Sequence, residues 1–372
     1  MQASAAPAPA AQTPAVQAPA VQAPAVRRPA VLTVSTALAL GLTLTLALVS
    51  GRVAEATTVL LIPDSGNDKV WAFSAIDGAI VSDNFIPSDG NMVQPICAIE
   101  SGRGTILVSD EIADAIFEYS YNGVFLGRVV EAADGLEAPF GIAIRDGLLY
   151  ITSPPQKRVW RSTVDGTELT VWWNGTDTNS TPRDIVFRSD DALVADSSKD
   201  AIERIDLAGT YLGLLVDSDG INGIDFPSQL QVVDGEGGVL AAGFSPPIGL
   251  YRYDSGGRQI FVANNLVTPP RGTALLGTGE YIYSGGTRVM AYDPVTLTER
   301  VIVNNPGSNF RFIEAATLTA PCAGDVNGDG VVDGVDLALL LGGWATPTGD
   351  LDGDGVVNGS DLAVLLGAWG PC

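Results

Sequence analysis

Six times along the chain a run of β-branched and aliphatic residues ends in a small or acidic residue: Val59-Leu-Leu-Ile-Pro-Asp64, Ile106-Leu-Val-Ser-Asp110, Leu149-Tyr-Ile-Thr-Ser153, Ala192-Leu-Val-Ala-Asp196, Val239-Leu-Ala-Ala-Gly243 and Tyr281-Ile-Tyr-Ser284. The run ends are 46, 43, 43, 47 and 41 residues apart. A short polar turn and a second, alternating strand follow each run, at 70–73, 116–119, 159–162, 202–205, 250–253 and 289–292. A turn-prone link and a third strand come next. Before most runs stands a proline-led segment, beginning at Pro95, Pro139, Pro182, Pro227 and Pro270. The period therefore holds four strands.

Four short antiparallel strands at this spacing predict an all-β fold, a six-bladed β-propeller over residues 57–319. The first repeat lacks a proline-led strand, whereas segment 309–317 is left over after the sixth. Circular closure would let that segment complete the first blade and leave no exposed sheet edge. Pro139-Phe-Gly-Ile-Ala143 resembles the NHL-repeat propellers, whose blades carry a Pro-x-Gly-Ile-Ala strand followed by an aliphatic strand ending in aspartate.

If the proline-led strands are innermost, the residues after each proline approach the axial channel: Ile96-Cys97, Phe140-Gly141, Arg183-Asp184, Ser228-Gln229, Arg271-Gly272 and, on the spare strand, Arg311-Phe312. Arg183, Arg271 and Arg311 share one repeat position and form a candidate channel site for a small anion such as a carboxylated sugar. Local pairing, for example of Arg183 with Asp184 or with a neighbouring blade's carboxylate, is the competing reading. Asp64, Asp110 and Asp196 stand at strand-to-turn junctions, where aspartate bonds the backbone two residues on. Trp71 and Trp160 occupy equivalent strand positions and are expected to pack between blades, while Trp172-Trp173 is the exposed candidate for a carbohydrate platform.

The C-terminus carries different chemistry. Asp325-Val-Asn-Gly-Asp-Gly-Val-Val-Asp-Gly-Val-Asp336 and Asp350-Leu-Asp-Gly-Asp-Gly-Val-Val-Asn-Gly-Ser-Asp361 put oxygen side chains at loop positions 1, 3, 5, 9 and 12, with a glycine at position 6 where the chain must turn around a hard cation. The implied ligands are Asp325, Asn327, Asp329, the Val331 carbonyl, Asp333 and Asp336 in the first loop. In the second they are Asp350, Asp352, Asp354, the Val356 carbonyl, Asn358 and Asp361. Calcium, two ions with a structural role, is the expected cofactor. No helical period precedes the first loop, but Asp336-Leu-Ala-Leu-Leu-Leu-Gly-Gly-Trp344 and Asp361-Leu-Ala-Val-Leu-Leu-Gly-Ala-Trp369 predict one helix after each.

A duplicated loop plus following helix resembles a dockerin, and Pro321-Cys322 with Gly370-Pro-Cys372 is similar to the GC-type dockerins that close many exported bacterial proteins. The resemblance covers residues 322–372 within a domain placed at 320–372. It implies a calcium-folded module that docks onto a cohesin-like partner and anchors whatever it carries. Cellulosomal dockerins often hold a Ser-Thr pair at loop positions 10 and 11, where this chain has Gly334-Val335 and Gly359-Ser360.

Charge agrees with a metal. Residues 323–372 contain eight aspartates and no lysine, arginine or glutamate, so without a cation the module repels itself. Of the three cysteines, Cys322 and Cys372 bracket it, and a disulfide joining them would be worth on the order of 4 kcal/mol in the chain-entropy model. Cys97, in an apolar stretch, reads as a buried small hydrophobe.

Residues 1–30 repeat Gln-Ala-Pro-Ala-Val and are expected to be extended and disordered. Residues 31–56 read as the apolar core and Ala54-Glu-Ala56 cleavage site of an export signal, preceded by Arg27-Arg28, with a mature start near Thr57. An uncleaved membrane anchor is the alternative. Either way the chain is expected outside the cytoplasm, secreted or at the cell surface.

The chain has no histidine, which removes Ser-His-Asp triads, imidazole bases and histidine-held zinc or iron. Virginiamycin B lyase-like propellers, which this blade pattern also resembles, rely on histidine chemistry. The net charge of −23 excludes nucleic acid as a partner. Two function classes remain: a binding or scaffold propeller, and a polysaccharide- or lactone-directed propeller enzyme, either one delivered by the same C-terminal module. Metal-dependent lactonase-like chemistry needs several channel carboxylates, and the channel positions above offer one, Asp184.

Overall fold

The computed structural model describes residues 57–233, 235–318, 324–327, 331–352 and 355–371. The leader 1–30, the export segment 31–56, Asp329, Asp354, Cys322 and Cys372 lie outside the described residues. Among the described residues no helix is long and apolar enough to cross a membrane.

Residues 57–318 form six four-stranded antiparallel sheets, the six blades of a β-propeller. In blades two to six the innermost strands are Pro95–Glu100, Ile142–Arg145, Pro182–Phe187, Pro227–Val232 and Gly272–Leu275. In the first blade the innermost strand is Glu314–Leu318, from the far end of the domain, paired antiparallel with Thr57–Asp64. That pairing closes the ring.

The aliphatic runs are continuous because the second strand of a blade is covered on both faces by its neighbours. Every residue of Thr105–Asp110, Asp191–Asp196 and Tyr281–Gly285 is buried. Outer strands such as Ile80–Ile86 and Thr298–Asn304 are largely exposed. Apolar burial falls into six clusters, one at each blade-to-blade interface. The cluster between the sixth and first blades contains Ile282 and Val289 with Leu60, Ile62 and Trp71, so the ring has no weak seam.

Closure begins later than the spare segment 309–317 suggests. Phe310 only bridges to Asp64 and Gly286, while the Arg311 and Phe312 amides donate to the carbonyls of Pro63 (2.9 Å) and Ile96 (3.1 Å). These residues touch the sixth, first and second blades before the ladder starts at Glu314.

Near the C-terminus two helices follow the two acidic loops, α1 (Gly334–Gly342) and α2 (Gly359–Gly367). Asp333 and Asn358 cap them, each accepting a backbone N–H two residues on, from Val335 at 2.7 Å and Ser360 at 2.8 Å. Val332, Leu340, Val357 and Leu365 form a small core. A two-residue ladder pairs Val331–Val332 with Gly370–Pro371.

Candidate functional site

The residues after the inner-strand prolines meet around the propeller axis. One mouth of the channel is a cavity of about 220 Å³ lined by Phe140, Arg183, Phe226, Ser228, Phe244, Arg271, Arg311 and Phe312. It contains all three arginines of the shared repeat position.

Each guanidinium is held from the side. Arg183 lies between two rings, with its guanidinium carbon 4.5 Å from the centre of Phe140 and 4.8 Å from that of Phe226, and its Nε donates to Ser197 Oγ at 3.3 Å. Arg271 sits 4.7 Å over Phe244. Its Nε is buried without a hydrogen-bond partner. Arg311, only 8% exposed, donates from Nε to Ser65 Oγ at 2.7 Å. Among the described residues none of the three is in an ion pair, so local pairing with Asp184 does not occur.

Burial pushes the affinity of all three guanidiniums for their protons down, and most so for Arg311, lowered to about 10 by burial and then by the positive charge of Arg271. They remain cations at neutral pH. Glu111 is the one carboxylate whose field reaches all three, and Gln94 holds it through a hydrogen bond to Oε2. The mouth thus concentrates positive charge in a low-dielectric recess walled by aromatic rings, which suits an anion.

Deeper along the axis the second residues of two pairs, Gln229 and Asp184, are buried. Gln229 is fully buried, accepting from the amides of Thr273 and Ile313 (both 2.9 Å) and donating to the Ile313 carbonyl (2.9 Å) and Glu314 Oε1 (2.6 Å). Asp184, 1% exposed, accepts the Leu230 amide on Oδ2 at 2.8 Å, while its Oδ1 is buried without a partner. Burial raises the Asp184 carboxyl to about 7, and burial followed by the Asp184 charge raises Glu314. The two titrate as a pair. Beyond them the opposite mouth opens between Ile99, Ile144, Val186, Val232 and Glu314.

Glu314, Glu111, Phe226 and Phe244 are site residues that sequence reasoning missed. Glu314 begins the closing strand, and the other three stand outside the inner strands altogether. Burial of Trp172 (7% exposed) and Trp173 (3%) between the third and fourth blades removes them as a carbohydrate platform. Trp71 and Trp160 pack at blade interfaces. Asp64 and Asp110 cap their turns, accepting the amides of Gly66 (3.1 Å) and Ala113 (2.9 Å).

In the second C-terminal loop, carboxylate oxygens of Asp350, Asp352 and Asp361 lie within 4.8 Å of one another. Asp361, fully buried, accepts the amides of Leu351 (2.7 Å) and Asp352 (3.2 Å) on one oxygen and that of Asn358 (2.7 Å) on the other. Asp336 repeats this in the first loop with Val326 (2.8 Å), Asn327 (3.1 Å) and Asp333 (2.9 Å). Asp325, Asn327, Val331 and Asp333 lie within that loop in sequence, and Val356 and Asn358 within the second.

No family model and no curated protein matches this chain. Solved structures do. A chain of a nidogen/laminin complex superposes with a TM-score of 0.60 at 18% identity, covering 71% of this chain and 100% of that one. A streptogramin B lyase gives 0.50 at 16% identity, covering 72% of this chain and 97% of that one. At such identities the likeness is one of fold, the six-bladed propeller.

Proposed function

We propose that the chain is an exported, non-enzymatic binding protein. Its propeller holds a small anion at the arginine-lined mouth, and its C-terminal segment is a calcium-folded, dockerin-like module that fastens it to a cohesin-like partner at the cell surface. The observation that carries the binding half is the set of three guanidiniums, free of ion pairs among the described residues, around one cavity. Cations so placed gain most from an anion that enters with its own charge. Guanidiniums neither give nor accept protons near neutral pH, so the mouth offers binding rather than acid–base chemistry, and the enzyme reading is the less favoured.

Calorimetric titration of glucuronate into the full chain and into an Arg183→Ala, Arg271→Ala double variant tests this. Binding to the parent and none to the variant is expected, and equal heats would remove the idea.

The attachment half rests on the loops. Three converging carboxylates are a hard-oxygen set that fits calcium, with Asp354 completing the second loop and Asp325, Asn327, Asp329, Asp333 and Asp336 supplying the first. Calcium there would neutralise the aspartates and hold α1 and α2 against each other. A chelator is expected to abolish the helical circular-dichroism signal and to expose residues 320–372 to protease while the propeller persists; an unchanged digestion pattern would sink the module. Cys322 and Cys372 are proposed to form a disulfide across its ends, to be read as one free thiol per unfolded, unreduced chain.

A further inference from the structure

Resting on the anion-binding reading above, we infer that the ligand of the arginine mouth is a short dicarboxylate, a compact molecule with two carboxylates joined by a few carbons. Three features of the mouth select it.

Charge comes first. Arg183, Arg271 and Arg311 supply three positive charges, and Glu111 is the one negative charge acting on all of them. The balance, three minus one, is cancelled by a dianion. A monoanion leaves net positive charge in a recess where water screens it poorly.

Placement comes second. Arg183 belongs to the inner strand of the fourth blade, Arg271 adjoins that of the sixth and Arg311 leads into that of the first. In a closed ring of six, the first and fourth blades stand opposite and the sixth is beside the first. The cations are therefore divided, one facing two across the axis. That division suits two separated carboxylates better than one phosphate or sulfate. Phe140 and Phe226 cover both faces of Arg183, and Ser197 takes its Nε, which leaves the guanidinium edge to grip a carboxylate in bidentate fashion. Arg271, stacked on Phe244 and lining the same cavity, brings a second guanidinium from the other side, with its Nε buried and without a partner among the described residues.

Size comes third. A cavity of about 220 Å³ is small for a ligand site and suits a compact molecule of a few carbons. Phe312, packed edge-on against Phe140 with ring centres 5.6 Å apart, gives the carbon spacer an apolar wall.

Calorimetry on the full chain without added calcium, at about pH 8 where phosphate is a dianion, compares succinate, propionate and inorganic phosphate. Succinate is expected to bind about ten-fold or more tighter than either. The Arg183→Gln and Arg271→Lys variants, checked for parental circular dichroism, are expected to lose that margin. Equal binding of propionate would overturn the dicarboxylate while leaving an anion site standing. Tighter phosphate would overturn the division of charge, and no binding of any probe would remove the anion-binding reading as well. Glu111→Gln adds one net positive charge and is expected to move preference from succinate toward tricarballylate; an unchanged ratio would overturn the charge balance.

Discussion

Replacing Asp184 by asparagine should make the propeller more stable above neutral pH and flatten its response to pH. The carboxyl is 1% exposed, one oxygen has no partner, and burial lifts its pKa from the ordinary 3.8 to about 7 beside the likewise raised Glu314. The folded state thus holds this proton more tightly than the unfolded chain does. Stability from the protonated form is complete below about pH 4 and is lost as pH rises through about 7, the reverse of the trend for a salt-bridged aspartate. At about 1.4 kcal/mol per tenfold in proton affinity, the full effect is roughly 4 kcal/mol, shared with Glu314 because the two are coupled. The Asp184→Asn side chain would keep an acceptor for the Leu230 amide and remove the charge. Urea unfolding followed by tryptophan fluorescence, in excess calcium at about pH 5 and about pH 8, should show a gain of roughly 2–4 kcal/mol for the variant at the higher pH and about 1–2 kcal/mol at the lower. Asp196 and Glu203 are also raised by burial, so the comparison with the parent isolates Asp184. A variant with the parent's full pH slope would refute the assignment.

Gly141→Ala should destabilise the propeller by about 3 kcal/mol or more, because a Cβ there would lie 2.7 Å from the Asp184 Cα and 2.8 Å from the Arg183 carbonyl; a thermal midpoint within a few degrees of the parent's would contradict it. Lys199→Met strips the fully buried Glu203 of its cationic partner at 3.0 Å, with Asp196 at 3.8 Å, and should cost about 2 kcal/mol in urea unfolding, less than a sealed pair because Lys199 stays 18% exposed and Thr176 still donates to Glu203. Burial pushes the Cys97 thiol well up, so it should resist a thiol reagent until the protein unfolds; fast labelling of the native chain at Cys97 would show the axis to be open. Asp361→Ala removes the acceptor of three backbone amides as well as a proposed calcium ligand, and should leave α2 unformed even at saturating calcium, as read by helical circular dichroism.

The ring was legible in the sequence because burial on both faces of the second strands makes the aliphatic runs continuous, and because a count of strands leaves the first repeat short and the last long. The start of closure was not, since Phe310–Ile313 bond to residues of the sixth, first, second and fifth blades and carry no ladder period. Trp172 and Trp173 misled for a related reason. They lie on the outer strand of the third blade, and whether such residues are covered depends on how the next blade stacks, which no local pattern encodes. The arginines could be found because they recur at one repeat position, whereas Phe226 and Phe244 reach the mouth from outside the inner strands, where spacing carries no information. Glu314 was passed over because only the closing strand brings it to the axis.

What lets three cations stand together is the same device that ends the aliphatic runs. In the first blade Asp64 accepts the Asn309 amide at 2.8 Å, two residues before Arg311. In the fourth, Asp196 accepts the Thr181 amide at 2.9 Å, two residues before Arg183. In the sixth, Ser284 occupies the equivalent position, and its carbonyl takes the Arg271 amide itself at 2.7 Å. Each arginine's backbone is therefore tied to the second strand of its own blade, with the side chain then fixed by a ring or a serine. Mutual repulsion among the guanidiniums would scatter them on flexible loops, but here the hydrogen bonds and six packed interfaces oppose it. The cations are held in place before any anion arrives, so a ligand would meet an ordered site and lose little in ordering it. A chain whose overall charge of −23 repels anions at long range needs that local order, because attraction begins only inside the recess.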